Sequence, residues 1–180
     1  MSSSKGVVKA VISGDTIVVR GRANNGPPPE RQLSLAHVIA PRLARKDGAD
    51  EPFAWSSREA LRKLLIGKEV SFKVEYANQA GREYASVYLA DDAAQVGIIP
   101  GLISAGWLKT QDIKGDKPEL QERKILEQAA QAKELGIWSK VDSKERIRDV
   151  KWNAENPQAI LDKNRGKPVK GKIREKKKNE

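Results

Sequence analysis

Polar and β-branched residues alternate in two short runs near the start of the chain. Residues 6–13 (GVVKAVIS) and 15–20 (DTIVVR) flank Gly14, and two such runs around a turn residue predict a β-hairpin. Residues 24–29 (NNGPPP) predict a loop, because proline has no N–H to donate to a strand ladder. The alternation resumes over residues 31–38 (RQLSLAHV), which predict a third strand.

A helical pattern follows and then gives way to two further strands. Residues 56–66 carry leucines at helical spacing, and Gly67 is typical of the position after a helix. Residues 69–76 and 83–89 alternate again around a turn at 78–81. The order so far is three strands, one helix and two strands.

Two more helices are predicted in the second half of the chain. A short one lies within residues 97–105, and a longer one begins at Pro118 and ends at Leu135, before Gly136. Five short strands with three helices predict an α+β fold, in which a small closed barrel of the oligonucleotide/oligosaccharide-binding (OB) type has helices packed on it. A further short strand is predicted at 147–152. The apolar stripe expected on the long helix is Leu120, Ile125, Ala129, Ala132 and Leu135.

Composition narrows the chemistry that this fold can perform. The 180 residues include no Cys and only one His, which excludes disulfides, Cys nucleophiles, thiolate metal sites and two-His metal sites. His37 is more simply explained as a structural residue where a strand turns. Any hydrolysis must therefore rest on carboxylates, arginines and a hard cation.

The net charge of +10 is unevenly distributed. Residues 163–180 contain nine Lys or Arg and two Glu, so this segment carries +7 of the total. We divide the chain into an N-terminal extension (1–5), a domain (6–140), a C-terminal extension packing on the domain (141–162) and a basic tail (163–180). Such a tail either binds nucleic acid or is a solvated end.

The longest apolar stretch of the chain is interrupted by Gly and Pro, so we expect no membrane contact. We expect the protein in the cytoplasm and also in the nucleus.

Four segments resemble staphylococcal-nuclease-type domains in order and spacing: SGDTIVV at 13–19, GREYASVY at 81–88, LISAGW at 102–107 and EQAAQAKELGIWS at 127–139. More narrowly, GPPPERQLSL, DEPFAWSSREALRKLLIGKEV and IRDVKW are similar to the first repeat of the Tudor staphylococcal nuclease (Tudor-SN) family. Members of that family are multi-repeat, RNA-associated proteins. KPVKGKI at 167–173 resembles the start of a second repeat.

The resemblance implies a definite chemistry: two Asp and a carbonyl hold Ca²⁺, a Glu activates water, and two Arg neutralise the phosphate of an RNA or DNA phosphodiester. Asp15 matches the first metal Asp, and Arg82 matches the second Arg. Ser34 stands at the position of the first Arg, Ile39 at that of the second metal Asp, and Arg42 at that of the Glu. We therefore expect no complete catalytic set, no bound cofactor and, at most, weak Ca²⁺ binding at Asp15.

The sequence leaves open whether other residues compensate. The loop carboxylates Asp47, Asp50 and Glu51 are not placed by any pattern. The tyrosines that stack on substrate in the family are replaced by Asp112 and Lys114.

The basic residues Arg42, Arg45, Lys46 and Arg82 are the candidate nucleic-acid contacts, and a solvated surface is their alternative interpretation. Asp15, likewise, is either a relic of a metal site or a hairpin-turn residue.

Three functions remain for the chain at this stage. The first is a nuclease-derived RNA-binding module, for single- or double-stranded RNA, associated with RNA silencing or decay. The second is a Ca²⁺-dependent endonuclease completed by following repeats. The third is a scaffold that docks proteins of silencing or transcription complexes. Cleavage with and without Ca²⁺ separates the first two, and salt-sensitive RNA binding separates the first from the third.

Overall fold

The structure, a computed structural model, describes residues 3–44, 49–90, 96–111 and 118–140. This part of the chain contains seven strands, three α-helices and one 3₁₀ turn. In chain order they are β1 (Ser4–Ser13), β2 (Thr16–Arg20), β3 (Glu30–Leu35), β4 (Val38–Ile39), α1 (Ala54–Leu65), β5 (Glu69–Ala77), β6 (Glu83–Leu89), α2 (Ile99–Ser104), β7 (Lys109–Thr110), α3 (Pro118–Ala132) and the 3₁₀ turn (Gly136–Trp138). None of the helices described here has the length and apolar character needed to cross a membrane.

Five strands close into a barrel in the order β1-β2-β3-β6-β5. Neighbouring strands are antiparallel except β3 and β6, which run parallel with Leu33 opposite Glu83 and Leu35 opposite Ala85. The predicted α+β fold, a five-stranded OB barrel with three helices, is confirmed. β1 begins at Ser4, two residues before the predicted start, because Ser4 and Lys5 pair with β5.

The barrel interior is apolar because the alternating residues of each strand point inward. Ile17, Leu33 and Ala85 are fully buried there, and Leu61 of α1 and Ile103 of α2 cover the barrel from outside the sheet. Each fully buried Leu or Ile contributes roughly 1.5–3 kcal/mol to folding. Ser34 is also buried, but strand alternation puts it on the opposite face of β3 from Leu33.

The third strand is shorter than predicted. β3 ends at Leu35, and the chain turns at Ala36 and His37, where His37 has a φ of 63°. A hydrophobic pattern does not reveal a residue with a left-handed backbone. The predicted strand therefore continued past His37 to Val38. After the turn the chain forms β4, which leaves the barrel and pairs with β7.

Two helix predictions also need correction. α1 begins at Ala54 rather than residue 56, since Phe53, with a φ of 64°, is the residue that precedes its first turn. α3 ends at Ala132, and its buried residues are Leu120 and Ala130. Ile125, assigned to the apolar stripe, is 65% exposed, because α3 packs through a face rotated away from it.

Gly106 and Gly136 join the end of α2 to the 3₁₀ turn through direct backbone contact. The N–H of Ile137 donates to the carbonyl of Gly106 at 2.8 Å. A Cβ on Gly106 would lie 2.3 Å from the Leu135 carbonyl oxygen, and one on Gly136 would lie 2.2 Å from that of Gly106. We call Gly106, Leu135, Gly136 and Ile137 the glycine junction. The neighbouring Trp107 and Trp138 are partly buried, as predicted.

Several predictions concern residues outside the described ranges. They are the strand at 147–152, the extension at 141–162, the tail at 163–180, and the loop residues Arg45, Lys46 and Asp47. These remain predictions.

Candidate nucleic-acid interface

The carboxylate of Asp15 is held by three hydrogen bonds from its surroundings. Its Oδ1 accepts from the hydroxyls of Ser13 at 2.6 Å and Thr16 at 3.0 Å, and its Oδ2 accepts from the N–H of Ala40 at 3.2 Å. The Asp15 carbonyl also accepts from the N–H of Leu35 at 2.8 Å. Asp15 therefore ties the β1–β2 turn to the segment that follows β3, which supports its interpretation as a structural turn residue.

The positions assigned to the first Arg and the second metal Asp carry no charge. Ser34 is 3% exposed, and its hydroxyl lies 3.3 Å from that of Thr16. Ile39 is 49% exposed and pairs with Lys109 across the β4–β7 ladder. The ladder therefore puts an exposed lysine beside Ile39, the residue that the resemblance aligns with the second metal Asp. We call Asp15, Ser34, Ile39 and Arg42 the Asp15 site.

The structure places two of the three loop carboxylates, and both bond the loop itself. Glu51 accepts from the N–H of Arg42 at 2.8 Å, and its own N–H donates to the Arg42 carbonyl at 2.9 Å. Asp50 accepts from the N–H of Ala44 at 2.6 Å and from the indole N–H of Trp55 at 2.9 Å. These carboxylates shape the loop that carries Arg42.

The residues of the Asp15 site do not fit Ca²⁺. The ion takes 6–8 oxygen ligands, whereas the described residues contain no cluster of three or more Asp, Glu, His or Cys side chains able to hold a metal. The carboxylate of Asp15 already accepts three hydrogen bonds. The side chain of Ile39 has no ligand atom, and the guanidinium of Arg42 is a cation and cannot bind a metal ion. No catalytic step through a metal follows from this arrangement.

Arg82 lies on the turn between β5 and β6. Its N–H donates to the side-chain oxygen of Asn78 at 2.9 Å, and Gly81 takes a φ of 76° to close the turn. The side chains of Arg82 and Arg42 are exposed. Within the described ranges neither forms an ion pair, so both guanidinium groups are available to phosphate.

A row of outward-facing residues connects the Asp15 site to two tyrosines. Register pairs Thr16 with Ser34, Ser34 with Tyr84, and Tyr84 with Tyr76 across β2, β3, β6 and β5. The rings of Tyr76 and Tyr84 stack, with centroids 4.6 Å apart and planes inclined by 12°. Both are half-buried, and burial raises the pKa of Tyr76 above its ordinary value.

His37 and Arg123 flank the tyrosine pair. The His37 ring lies 4.9 Å from that of Tyr76, and the His37 N–H donates to the Tyr76 hydroxyl at 3.3 Å. Arg123 on α3 donates from Nη1 to the carbonyl of Ala36 at 3.1 Å. Burial lowers the pKa of Arg123, but a guanidinium stays charged at neutral pH. His37 therefore lies in a turn, as predicted, and its ring packs against that of Tyr76.

Sequence reasoning missed Lys109, Arg123 and the tyrosine pair. Lys109 comes beside Ile39 only through pairing of two strands of two residues each, which are too short to show a pattern. Tyr76 faces the same side as Tyr84 because the β5–β6 register shifts between Val74 and Tyr76. Such a bulge changes which face a residue occupies and leaves no sequence signal of its own here.

The closed five-stranded barrel and its three helices have the architecture of a nuclease-like domain. The chain matches the family described as Staphylococcal nuclease homologue over residues 32–140. It therefore belongs to the staphylococcal nuclease homologue family.

The chain is also similar to longer proteins of the Tudor-SN type. Ribonuclease TUDOR 2 of Arabidopsis thaliana is 41% identical over 184 residues, which cover 93% of this chain and 18% of that protein. Staphylococcal nuclease domain-containing protein 1 of Drosophila melanogaster is 39% identical over 179 residues, which cover 95% of this chain and 19% of that protein. The chain spans about a fifth of the length of these relatives, and its resemblance to Tudor-SN proteins is confirmed.

Proposed function

We propose that this chain is an RNA-binding module derived from a nuclease whose catalytic site has degenerated. The observation that carries the proposal is the composition of the Asp15 site. An exposed arginine, Arg42, stands at the position of the general base, and an apolar residue, Ile39, stands at that of a metal ligand. Exchange of a carboxylate for a cation removes catalysis and favours a bound phosphate at the same time.

The expected loss of rate is large. Absence of a general base typically costs about 10²–10⁴ in rate, and absence of a donor that stabilises the transition state costs roughly another 10²–10³. The hydroxyl of Ser34 cannot replace an arginine, since it is buried and lies against Thr16. The domain therefore holds RNA without cutting it.

The cations that would contact RNA come from three parts of the fold. Arg42 lies on the loop after β4, Arg82 on the β5–β6 turn and Lys109 on β7. Arg45, Lys46 and the tail at 163–180 would add further charge. Association with RNA silencing or decay, and a cytoplasmic and nuclear location, belong to this proposal through the resemblance to Tudor-SN proteins.

A second candidate is a ribonuclease whose site is completed by other parts of a longer protein. Two relatives are named Ribonuclease TUDOR 1 and 2, and the chain matches only 18% of each. The missing carboxylates would then come from outside this segment. This candidate requires RNA cleavage by a longer protein, and its loss when Asp15 is substituted.

RNA binding at several salt concentrations tests the first candidate. For single-stranded RNA the log–log slope of affinity against salt is about −0.7 per phosphate contacted. Removal of residues 163–180, which carry +7, should make this slope shallower by several units, up to about five. Incubation with Ca²⁺ or with a chelator should leave the RNA uncut.

Three results would contradict the proposal or redirect it. Cleavage that requires Ca²⁺ would favour the ribonuclease. No binding by the full chain at low salt would refute an RNA-binding module. Loss of all affinity with the tail, in a truncated chain that still melts cooperatively, would assign RNA to the tail and leave the barrel as a protein scaffold.

A further inference from the structure

We propose that Asn25 is a site of spontaneous covalent modification, at which the side-chain amide is converted to a carboxylate. Asn25 and Gly26 lie in the loop between β2 and β3, residues 21–29, which we call the proline loop because it ends in three prolines. The proposed RNA-binding function makes no use of this loop. The inference therefore goes beyond that function and does not depend on it.

The reaction is an attack by the backbone on the neighbouring side chain. The nitrogen of Gly26 bonds to Cγ of Asn25 and loses its proton to water, while the amide nitrogen leaves as ammonia and a succinimide ring closes. Water then opens the ring. Cleavage of the bond to Cγ gives aspartate, whereas cleavage at the backbone carbonyl gives isoaspartate, in which the chain continues through the side-chain carbon. The net reaction takes up water and releases ammonia.

The structure leaves both reacting groups open to solvent. Asn24, Asn25 and Gly26 are exposed, and within the described ranges no hydrogen bond or ion pair engages the Asn25 amide or the Gly26 N–H. Apart from the two chain neighbours of Gly26, the nearest atom to an added Cβ is the Asn24 carbonyl oxygen at 3.9 Å. The peptide bond between Asn25 and Gly26 can therefore rotate without breaking a contact.

The backbone of the proline loop is bonded at its base and open at its tip. The N–H of Gly21 donates to the carbonyl of Pro29 at 2.8 Å and closes the base. At the tip Asn25 has a φ of 49°, a left-handed conformation that L-residues adopt at a cost. Ring closure requires Asn25 to leave this conformation. Because no side-chain contact holds it there, local rearrangement of the tip costs little free energy.

Asn78 provides a matched contrast in the turn between β5 and β6. It is also exposed, but its side-chain oxygen accepts from the N–H of Arg82 at 2.9 Å, and its own N–H donates to the Arg82 carbonyl at 3.0 Å. The residue that follows it is Gln79, whose side chain hinders attack by the backbone nitrogen. Asn78 should therefore remain an amide while Asn25 reacts.

The test incubates the full chain at neutral and at mildly alkaline pH and follows its tryptic peptides by tandem mass spectrometry. Cleavage after Arg22 and Arg31 releases residues 23–31, so Asn24 and Asn25 are compared within one peptide. This peptide should gain the mass that distinguishes a carboxylate from an amide, located at Asn25, with aspartate and isoaspartate both present. The rate should rise with pH, because the attacking nitrogen must lose its proton.

The expected rates distinguish a site left open by the fold from a reactive dipeptide alone. Asn25 in the folded chain should react at most about tenfold more slowly than in the chain unfolded in urea, which corresponds to an opening cost of up to about 1.4 kcal/mol. Asn78 should stay unmodified in the folded chain over the same time.

Two variants test the chemistry without disturbing the barrel. Gly26→Ala should slow the reaction at least about tenfold, because a Cβ restricts the backbone and hinders ring closure. The structure has room for that Cβ, so the variant should fold. Asn25→Gln should abolish the mass change in the peptide of residues 23–31, since the longer side chain does not form the same ring.

Three results would overturn the proposal. An Asn25 that reacts in urea but stays an amide in the folded chain would show that the fold protects the loop. Equal rates at Asn24 and Asn25, or an unchanged rate in Gly26→Ala, would show that the glycine does not direct the reaction.

The modification should leave the Asp15 site unaffected. Asp15 precedes β2 and the proline loop follows it, so the five residues of β2 separate the two by roughly 17 Å. Asn25→Asp, which carries the new carboxylate from the start, should therefore bind RNA with the salt slope of the original chain. Failure of the full chain to bind RNA would refute the RNA-binding module alone, and an unreactive Asn25 would refute the modification alone.

Discussion

The glycine junction and the Asp15 site both contain residues of segments that resemble the family, yet different contacts hold the two regions. At the junction, the backbone of Gly106 contacts the backbone of residues 135–137, and a Cβ on Gly106 would lie 2.3 Å from the Leu135 carbonyl oxygen. At the Asp15 site, Ile39 and Arg42 are exposed side chains. The first region has no room for change, and the second accommodates an apolar residue and a reversed charge.

The difference shows that a nuclease-like barrel can be kept while the residues at the positions that the resemblance assigns to catalysis are exchanged. Asp15 illustrates both, since the residue that matches a metal ligand also accepts hydrogen bonds from Ser13, Thr16 and Ala40. Its presence is therefore explained by the β1–β2 turn alone. Retention of a motif residue is not by itself a sign of retained catalysis.

The largest expected effect comes from restoring the lost groups at the Asp15 site. The chain should show no Ca²⁺-dependent cleavage of RNA above background. The triple variant Ser34→Arg, Ile39→Asp and Arg42→Glu should cleave at least about 10²-fold faster, while each single change does little, because such groups act as a unit. A gel assay with and without Ca²⁺ measures this.

The matched control is Ser34→Arg with Ile39→Asn and Arg42→Gln, which introduces the same bulk without the carboxylates. Ser34 is buried, so both triple variants should lose stability and must be assayed below their melting temperatures. Equal activity of the two would mean that the Asp15 site is not where the missing chemistry belongs.

The next effect concerns the glycine junction. Gly106→Ala should destabilise the domain by about 3 kcal/mol or more, because it adds a clash with the Leu135 carbonyl to the strain of a φ of 75°. Gly67→Ala is the control: its φ is 73°, but nothing lies within 4 Å of the added Cβ, so only about 1 kcal/mol should be lost. Urea unfolding measures both, and similar losses would mean that the contact at Gly106 is unimportant.

A smaller loss is expected when the carboxylate of Asp15 is removed. Asp15→Ala should reduce the free energy of unfolding by about 2 kcal/mol, since three donors lose their acceptor. Asp15→Asn, which keeps one acceptor oxygen, should lose less. Addition of about 1 mM Ca²⁺ should stabilise the original chain by less than about 0.4 kcal/mol, as calorimetry can show. A micromolar Ca²⁺ site would restore the enzyme hypothesis.

The smallest effect is that of the exposed cations on RNA affinity. Arg42→Ala and Arg82→Ala should each make the salt slope for single-stranded RNA shallower by about 0.7, the value for one phosphate contact. Lys68→Ala, an exposed residue in the loop between α1 and β5, should leave the slope unchanged. If the salt slope changes by the same amount in all three variants, RNA responds to the overall charge of the chain. Arg42 of the Asp15 site would then not be a defined RNA contact.

Much of the fold could be predicted because its signals are local. Alternation in β1, β2, β5 and β6 identified the barrel strands, and glycine stops identified the ends of helices to within a few residues. The resemblance identified the positions at which this chain differs from the family's catalytic residues. The exposure of Ile125 and the early end of β3 were not predictable, since both depend on what packs against those segments.

The amino-acid sequence by itself determined that an apolar barrel forms and that Ile39 and Arg42 stand where the resemblance leads one to expect an Asp and a Glu, because alternation and residue type can be read directly from the chain. Only the tertiary structure decided that the Asp15 carboxylate is engaged by the turn, that Lys109 lies beside Ile39, and that Tyr76 stacks on Tyr84. The physical reason is register. Which residues become neighbours across strands depends on bulges and turns elsewhere in the chain, and a shift of one position moves a side chain to the other face of the sheet.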